Sequence, residues 1–560
     1  MRPLAGLLAA LFVFTARPAL PQSAIGNHGA VATVDRLASQ AGIDAMKNGG
    51  NAVDAAVAAA LTLGVVNGYN SGIGGGCFIL IRRANGQFLC IDGREAAPLA
   101  ARADMFVRGG KAEAALSQLG ALASATPGAL AAYDLALKSA GKLPLPVHLL
   151  AATRLAEDGF RLDKHYAAVL RDEAGALTKF PASAALFLKA QGAPFSENEL
   201  LRQPDLAQTL RAIAQNGPGW FYGGPFAEAV EKWMRENGGL MTAADFRAYR
   251  AVLRQPISTE YREDTVVSFP PPSSGGVLLL EILNILQTRD FSDRRFTAFD
   301  RAHFIIESLK LGFADRAYWL GDPDFAGVPR ALIGKDYGRA LAEKIDLTRA
   351  AAGAAHGAPP DAASDIFPKH TTHLSAADAE GNWVALTATI NTHFGSKVVI
   401  PGTGVVMNNE MDDFSAQPGA TNYFGLVGAE ANAIAPGKRP LSSMSPAIVL
   451  KNGRPILAVG ASGGPAIISQ TLLNIVNVVD LGMDAQTAID QPKFHHQWKP
   501  DEVLMEQELP PELGVELARR GHRLRTVKML GAAQAVGLAP DGQAFLGAAD
   551  KRAGGVALAW

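Results

Sequence analysis

From Val34 to Val66 apolar residues recur at helical spacing in two blocks, and Asn48-Gly49-Gly50 between them reads as a stop. The first predicted helix ends near Lys47. The second starts at Asn51, a good N-cap with Asp54 in its first turn. Residues 74–95 read as a glycine-rich turn, a strand, an Asn85-Gly86 turn and a second strand. Alanine-rich helical patterns dominate roughly 112–240. A loop at Pro270 to Gly276 precedes an apolar helix, Val277 to Leu286. The C-terminal part is strand-rich, with one clear helix from Pro465 to about Val479. Strands interleaved with helices give a mixed α/β or α+β class.

One stretch breaks this alternation. Residues 350–364 form an Ala/Gly/Pro-rich connector with almost no apolar periodicity. Directly beyond it stand His370-Thr371-Thr372-His373, where the pattern turns strand-like from Thr371 to Asp378. It breaks at Ala379-Glu380-Gly381-Asn382 and resumes from Trp383 to Ile390. A hairpin centred on Glu380 sets Thr371 opposite Thr389, with Asn391 facing the same way. A threonine hydroxyl is a poor nucleophile unless a base sits beside it. Cleavage between His370 and Thr371 would give Thr371 that base as its own α-amino group. A Thr–Thr pair is also a good cross-strand pair in its own right.

At 560 residues the chain can bury a large core, and 48% hydrophobic with 19% charged residues describes a globular protein. A formal charge of −1 with scattered Lys and Arg excludes a basic nucleic-acid stripe. Met1-Arg2-Pro3, the apolar run Leu4 to Phe14 and small residues after it read as a signal peptide over about residues 1–22. The expected location is periplasmic or secreted, with no stable membrane span after signal removal. Cys77 and Cys90 are the two cysteines. The predicted hairpin pairs Cys90 with Ile81 and Cys77 with Arg94, roughly 13 Å apart along one face. Buried free thiols are expected, not a disulfide.

Four further segments carry candidate chemistry. Ser462-Gly463-Gly464-Pro465 joins a strand to a helix, and backbone N–H groups at such a corner can stabilise an oxyanion. An ordinary strand-to-helix turn has the same sequence. The loop Asn408 to Phe414 gathers Glu410, Asp412 and Asp413 with two amides, which suits an ammonium group or a solvated acidic turn. Lys438 to Pro446 brings Ser442 and Ser443 into one turn, suiting a carboxylate. Arg94 could clamp a carboxylate or be structural. The segment Gly72 to Gly76 fits neither a phosphate loop nor a dinucleotide fingerprint. No metal site is expected: adjacent His495 and His496 point apart in a strand, and His370 and His373 lack Glu or Cys at ligand spacing.

Taken together these segments resemble the γ-glutamyltranspeptidase (γ-glutamyltransferase) family over essentially the whole chain after the signal. The resemblance rests on NGGNAVDAAVA at 48–58, SGIGGG at 71–76, DGRE at 92–95, PPPSSGG at 270–276 and TTH at 371–373. It continues with NNEMDDFS at 408–415, KRPLSSMSP at 438–446 and SGGP at 462–465, in the family's order. It implies an α+β Ntn-hydrolase fold, a four-layer αββα sandwich. The precursor would be cut into a large chain, residues 23–370 with a flexible linker at 350–370, and a small catalytic chain, 371–560. Thr371 then matches the nucleophile, Thr389 its hydroxyl partner, and Gly463 and Gly464 the oxyanion hole. Arg94, Ser442 and Ser443 match groups for the substrate α-carboxylate; Asn391, Glu410 and Asp413 match those for its α-amino group.

The implied activity cleaves the γ-glutamyl amide of glutathione and related donors, transferring it to water, amino acids or dipeptides, with no metal or organic cofactor. Two positions depart from the pattern. His393 stands where many bacterial members have Thr. Phe424, beside Tyr423, stands where a Tyr hydroxyl often closes a lid, here Ser415 to Pro436. Two other readings stand beside this one: a related cephalosporin-acylase-like amidase, and an inactive, unprocessed secreted binding protein.

Overall fold

Residues 24–353, 355–357, 372–417, 423 and 430–560 are described by the structure, a computed structural model of the chain. The signal segment, His370, Thr371 and Phe424 lie outside them. Among the described residues two seven-stranded sheets form. The first runs, in spatial order, Val556–Ala559, Gly29–Thr33, Thr372–Asp378, Trp383–Thr389, Gly76–Arg82, Phe88–Gly93 and Val252–Arg254. The second runs Ala24–Gly26, Phe545–Ala549, Ala532–Leu538, Arg454–Ser462, Ala447–Lys451, Asp264–Ser268 and Ile257–Tyr261. Neighbouring strands in both sheets are antiparallel.

Three apolar layers hold four structural layers together. Between the sheets lie Ala32, Phe78, Leu80, Phe269, Trp383, Ile448 and Val536. Helices Arg36–Lys47 and Ala52–Val66 cover the outer face of the first sheet through Val31, Ile79, Leu374 and Leu386. Helices Ser274–Leu286 and Ala466–Val479 cover the second through Val449, Leu457 and Val459, and Ala298–Trp319 packs against Ser274–Leu286. This is the αββα sandwich expected. Helix Ala52–Val66 is apolar all round because further helices, such as Leu145–Asp158, pack outside it. Asn51 caps it as predicted: its side chain accepts from Val53 N, and Asp54 accepts from Asn51 N at 2.8 Å.

The central hairpin has the expected register. Thr372 faces Ala388 and Ala377 faces Trp383, so pairs sum to one constant. The Gly76–Gly93 hairpin is displaced by one residue from the expectation: Cys77 pairs with Gly93 and Leu80 with Cys90. The cause is its turn. Gly86 N donates to Arg83 O, Gly86 takes φ +87°, and an extra residue enters the loop, so Asn85-Gly86 is not a two-residue turn. The slip puts the two thiols on opposite faces, Cys77 against the helices and Cys90 between the sheets. Both are free and buried, as expected.

Two further boundaries differ. The helix expected at Val277 begins at Ser274, because Ser273 Oγ accepts Gly276 N at 3.1 Å and caps it. The start of the connector is tied down. Ala351 N donates to Glu307 Oε2 at 3.1 Å, and Lys310 Nζ donates to Ala351 O at 2.9 Å. Gly357 N donates to Asp315. Ordered backbone here comes from helix Ala298–Trp319, not from any pattern in the connector.

Candidate active site

Thr389 ends its strand opposite Gly76, and its Oγ1 accepts the N–H of Asn391 at 2.8 Å. Asn391 does not continue the strand alternation, as the period-two reading expected. Its φ of +73° turns the chain out of the sheet, a conformation asparagine tolerates. Its Nδ2 donates to Asn409 O at 2.9 Å, which fixes the amide orientation. Oδ1 is then a buried acceptor with no partner among the described residues.

Asn409 leads into Glu410, Asp412 and Asp413, all buried, so this loop is not a solvated acidic turn. Arg94, also wholly buried, donates to both Glu410 Oε1 and Asp413 Oδ2. Its Nε donates to Pro440 O at 3.0 Å. The cation and anions that the resemblance divides between two substrate groups are therefore one ion-pair cluster. Glu95 adds a third carboxylate 3.4 Å from Arg94 and lies against Gly76, where a Cβ would fall 2.4 Å from Glu95 Oε2. Burial pushes the Glu410 carboxyl up to about 7 against the pull of Arg94. Burial also raises Asp413 and Glu95 well above the carboxylate range. Burial opposes charge on Arg94, yet Glu410 and Asp413 outweigh it. Like Asn391 Oδ1, Glu410 Oε2 is buried and has no partner among the described residues.

Ser442 and Ser443 sit beside Leu441, whose carbonyl accepts from Arg94 at 3.2 Å. Ser442 Oγ accepts Met444 N at 3.2 Å, and Ser443 Oγ accepts a guanidinium N–H of Arg316 at 2.8 Å. Arg316 escaped the sequence reading because its helix is buried on nearly every side and no pattern distinguishes it there.

Gly463 and Gly464 turn the chain from strand to helix at φ +123° and +65°. Among the described residues neither N–H donates to a backbone carbonyl. A Cβ on Gly463 would lie 2.3 Å from Leu530 O, and one on Gly531 2.0 Å from Ser462 O. Gly531, which the sequence reading missed, is thus the partner that lets this corner close. Gly463→Ala is expected to cut turnover about 100-fold or more by displacing the corner, read as kcat on purified protein.

A cavity of about 360 Å³ is lined by Asn391, Thr392, His393, Ser462, Gly463 and Gly531, joining the strand end to the glycine corner. His393 is half-exposed on its wall, 4.0 Å from Glu173 and edge-on to Tyr69. Tyr423 lines the same cavity. His373, by contrast, is buried between Thr387 Oγ1 at 2.9 Å and Ser375 Oγ at 3.0 Å. Burial lowers it to about 3, so it is a neutral core imidazole. Among the described residues no cluster of His, Cys, Asp or Glu has metal-binding geometry, and no helix is long and apolar enough to cross a membrane.

The chain is 42% identical over 529 residues to the glutathione hydrolase proenzyme of Escherichia coli, covering 94% of this chain and 90% of that one. It is 39% identical to the acylase ACY 1 proenzyme of Pseudomonas sp. strain SE83, covering 96% and 94%. A cephalosporin acylase from Bacillus halodurans superposes with TM-score 0.88 at 29% identity, covering 98% and 99%. The γ-glutamyltranspeptidase of Helicobacter pylori superposes with TM-score 0.55 at 35% identity, covering 59% of this chain and 93% of that one. The Gamma-glutamyltranspeptidase family profile matches residues 38–560, and the chain belongs to that family of enzymes.

Proposed function

We propose that this chain is a glutathione hydrolase and γ-glutamyltransferase, matured by cleavage before Thr371 into a large chain, 23–370, and a small chain, 371–560. The observation that carries the reading is a pair of buried acceptors with no partner among the described residues, Asn391 Oδ1 and Glu410 Oε2, beside one buried guanidinium. Such acceptors suit a substrate ammonium. In the reaction the Thr371 amine, with an ordinary pKa near 7.7–8.0, takes the Oγ proton. Oγ attacks the γ-carbonyl, the oxyanion lies against the Gly463 and Gly464 N–H groups, and the protonated amine leaves. Water or an amino acid or dipeptide then releases the γ-glutamyl group. Thr389 orients the nucleophile, while Ser442 and Ser443 receive the α-carboxylate, their turn held by Arg94 through Pro440 O and Leu441 O. The leader sequence supports export to the periplasm or the medium.

The acylase reading has support from the relatives of that name, and Glu410 weighs against it, since a glutaryl group has no ammonium to bind. Purified protein is expected to release the amine from a γ-glutamyl anilide, faster with a dipeptide present. Release from a glutaryl anilide alone would favour the acylase reading instead.

Ionised Glu410 is the binding form for the ammonium. Because burial raises its pKa to about 7, protons compete with donor as pH falls. Donor KM is therefore expected to rise about tenfold from pH 8 to pH 6. Glu410→Gln is expected to have a high KM that is flat over this range, leaving any kcat limb from the Thr371 amine in place. A wild-type KM independent of pH would contradict this assignment.

A further inference from the structure

PPPSSGG at 270–276 is a motif with no role in the reaction described so far. Its serines face the Ser442-Ser443 turn. Ser274 N and Oγ both donate to Ser442 O, at 2.7 and 2.6 Å, and Ser273 Oγ donates to Met444 O at 2.6 Å. Ser442 N donates back to Pro272 O at 2.8 Å. Glycine permits this approach: a Cβ on Gly275 would lie 2.5 Å from Ser443 O. Arg316 closes the arrangement from helix Ala298–Trp319. It is wholly buried, its Nε donates to Ser274 Oγ at 2.6 Å, and its Nη2 donates to Ser443 Oγ at 2.8 Å.

A hydroxyl that accepts a guanidinium N–H keeps its own proton to give. Among the described residues no acceptor takes the Ser443 proton, nor that of Ser442, whose Oγ accepts Met444 N. We infer that Arg316 is a positioning residue for the donor α-carboxylate, orienting Ser443 as a hydrogen-bond donor and adding a second buried cation behind the serine pair. Ser274 carries part of this by fixing the guanidinium plane and the Ser442 carbonyl together. Burial works against its charge, and the Asp413 carboxylate offsets part of that cost. This inference rests on the function proposed above.

The test compares two anilides that both carry the ammonium, a γ-glutamyl anilide and a 4-aminobutyryl anilide lacking the α-carboxylate. Wild-type enzyme is expected to favour the first strongly in kcat/KM. Arg316→Met is expected to cut that preference roughly tenfold or more, through KM for the γ-glutamyl donor. Arg316→Lys, which keeps the charge, is expected to restore part of it, and Ser274→Ala to lose a smaller share. Equal losses with both donors, as a merely structural role would give, overturn the inference. Should Arg316→Met not accumulate as folded protein, Arg316→Lys, Ser443→Ala and their double variant decide. With Ser443 gone, Arg316→Lys is expected to cost no further preference, and additive losses overturn the inference. Wild-type protein that turns over neither donor overturns the functional reading itself.

Discussion

Thr371→Ala is expected to leave the chain uncut and to lower turnover of a γ-glutamyl anilide by roughly four to six orders of magnitude. On the proposed mechanism one residue supplies both nucleophile and base, and the same hydroxyl initiates cleavage, which makes the expected effect this large. Fold and stability are expected to survive. The hairpin is held by Thr372 to Asp378 against Trp383 to Ala388, and by Gly29 to Ala32 on its other edge. Electrophoresis under denaturing conditions checks the cleavage, and circular dichroism the fold. Appreciable turnover by an uncut Thr371→Ala protein would contradict Thr371 as nucleophile.

Arg94→Met is expected to destabilise the protein by about 3–5 kcal/mol, the cost of leaving buried charge without its partner. Glu410, Asp413 and Glu95 all lean on this guanidinium, with side chains no more than 1% exposed. The sign with pH follows from their raised pKa values. Carboxyls that bind protons more tightly in the fold than in the unfolded chain stabilise it at low pH, and that contribution is lost as pH rises. Without Arg94 to oppose them, the deficit is expected to be larger at pH 8 than at pH 5. Asp413→Ala differs in kind, because Arg94 keeps Glu410 and Glu95. It is expected to mature normally and raise donor KM strongly. Denaturant unfolding at two pH values checks the first variant, and donor kinetics on the cut enzyme the second. Equal destabilisation by both variants would contradict the cluster as described.

Local chemistry was readable where a feature is settled within a few residues. The Asn51 cap, the centre of the Thr372–Thr389 hairpin and the glycine corner before helix Ala466–Val479 all follow from neighbours along the chain. The candidate site residues come from the resemblance and, for the acidic loop and the serine turn, also from their polar density. The pairing of Arg94 with Glu410 and Asp413 was not, since it joins positions more than 300 residues apart through sheet packing. Gly531 and Arg316 were missed for the same reason: each matters only through the segment packed against it. The cysteine register failed at one turn residue, where Asn-Gly permits two loop lengths and the pattern does not choose. The tied start of the connector was illegible because its partners, Glu307, Lys310 and Asp315, belong to a distant helix.

Cleavage before Thr371 is the claim on which the rest depends. Intact mass of the purified protein under denaturing conditions, with N-terminal sequencing of the smaller fragment, tests it most directly. Two chains are expected, the smaller beginning at Thr371. A single chain that stays uncut on long incubation, or a fragment beginning at another residue, would contradict it.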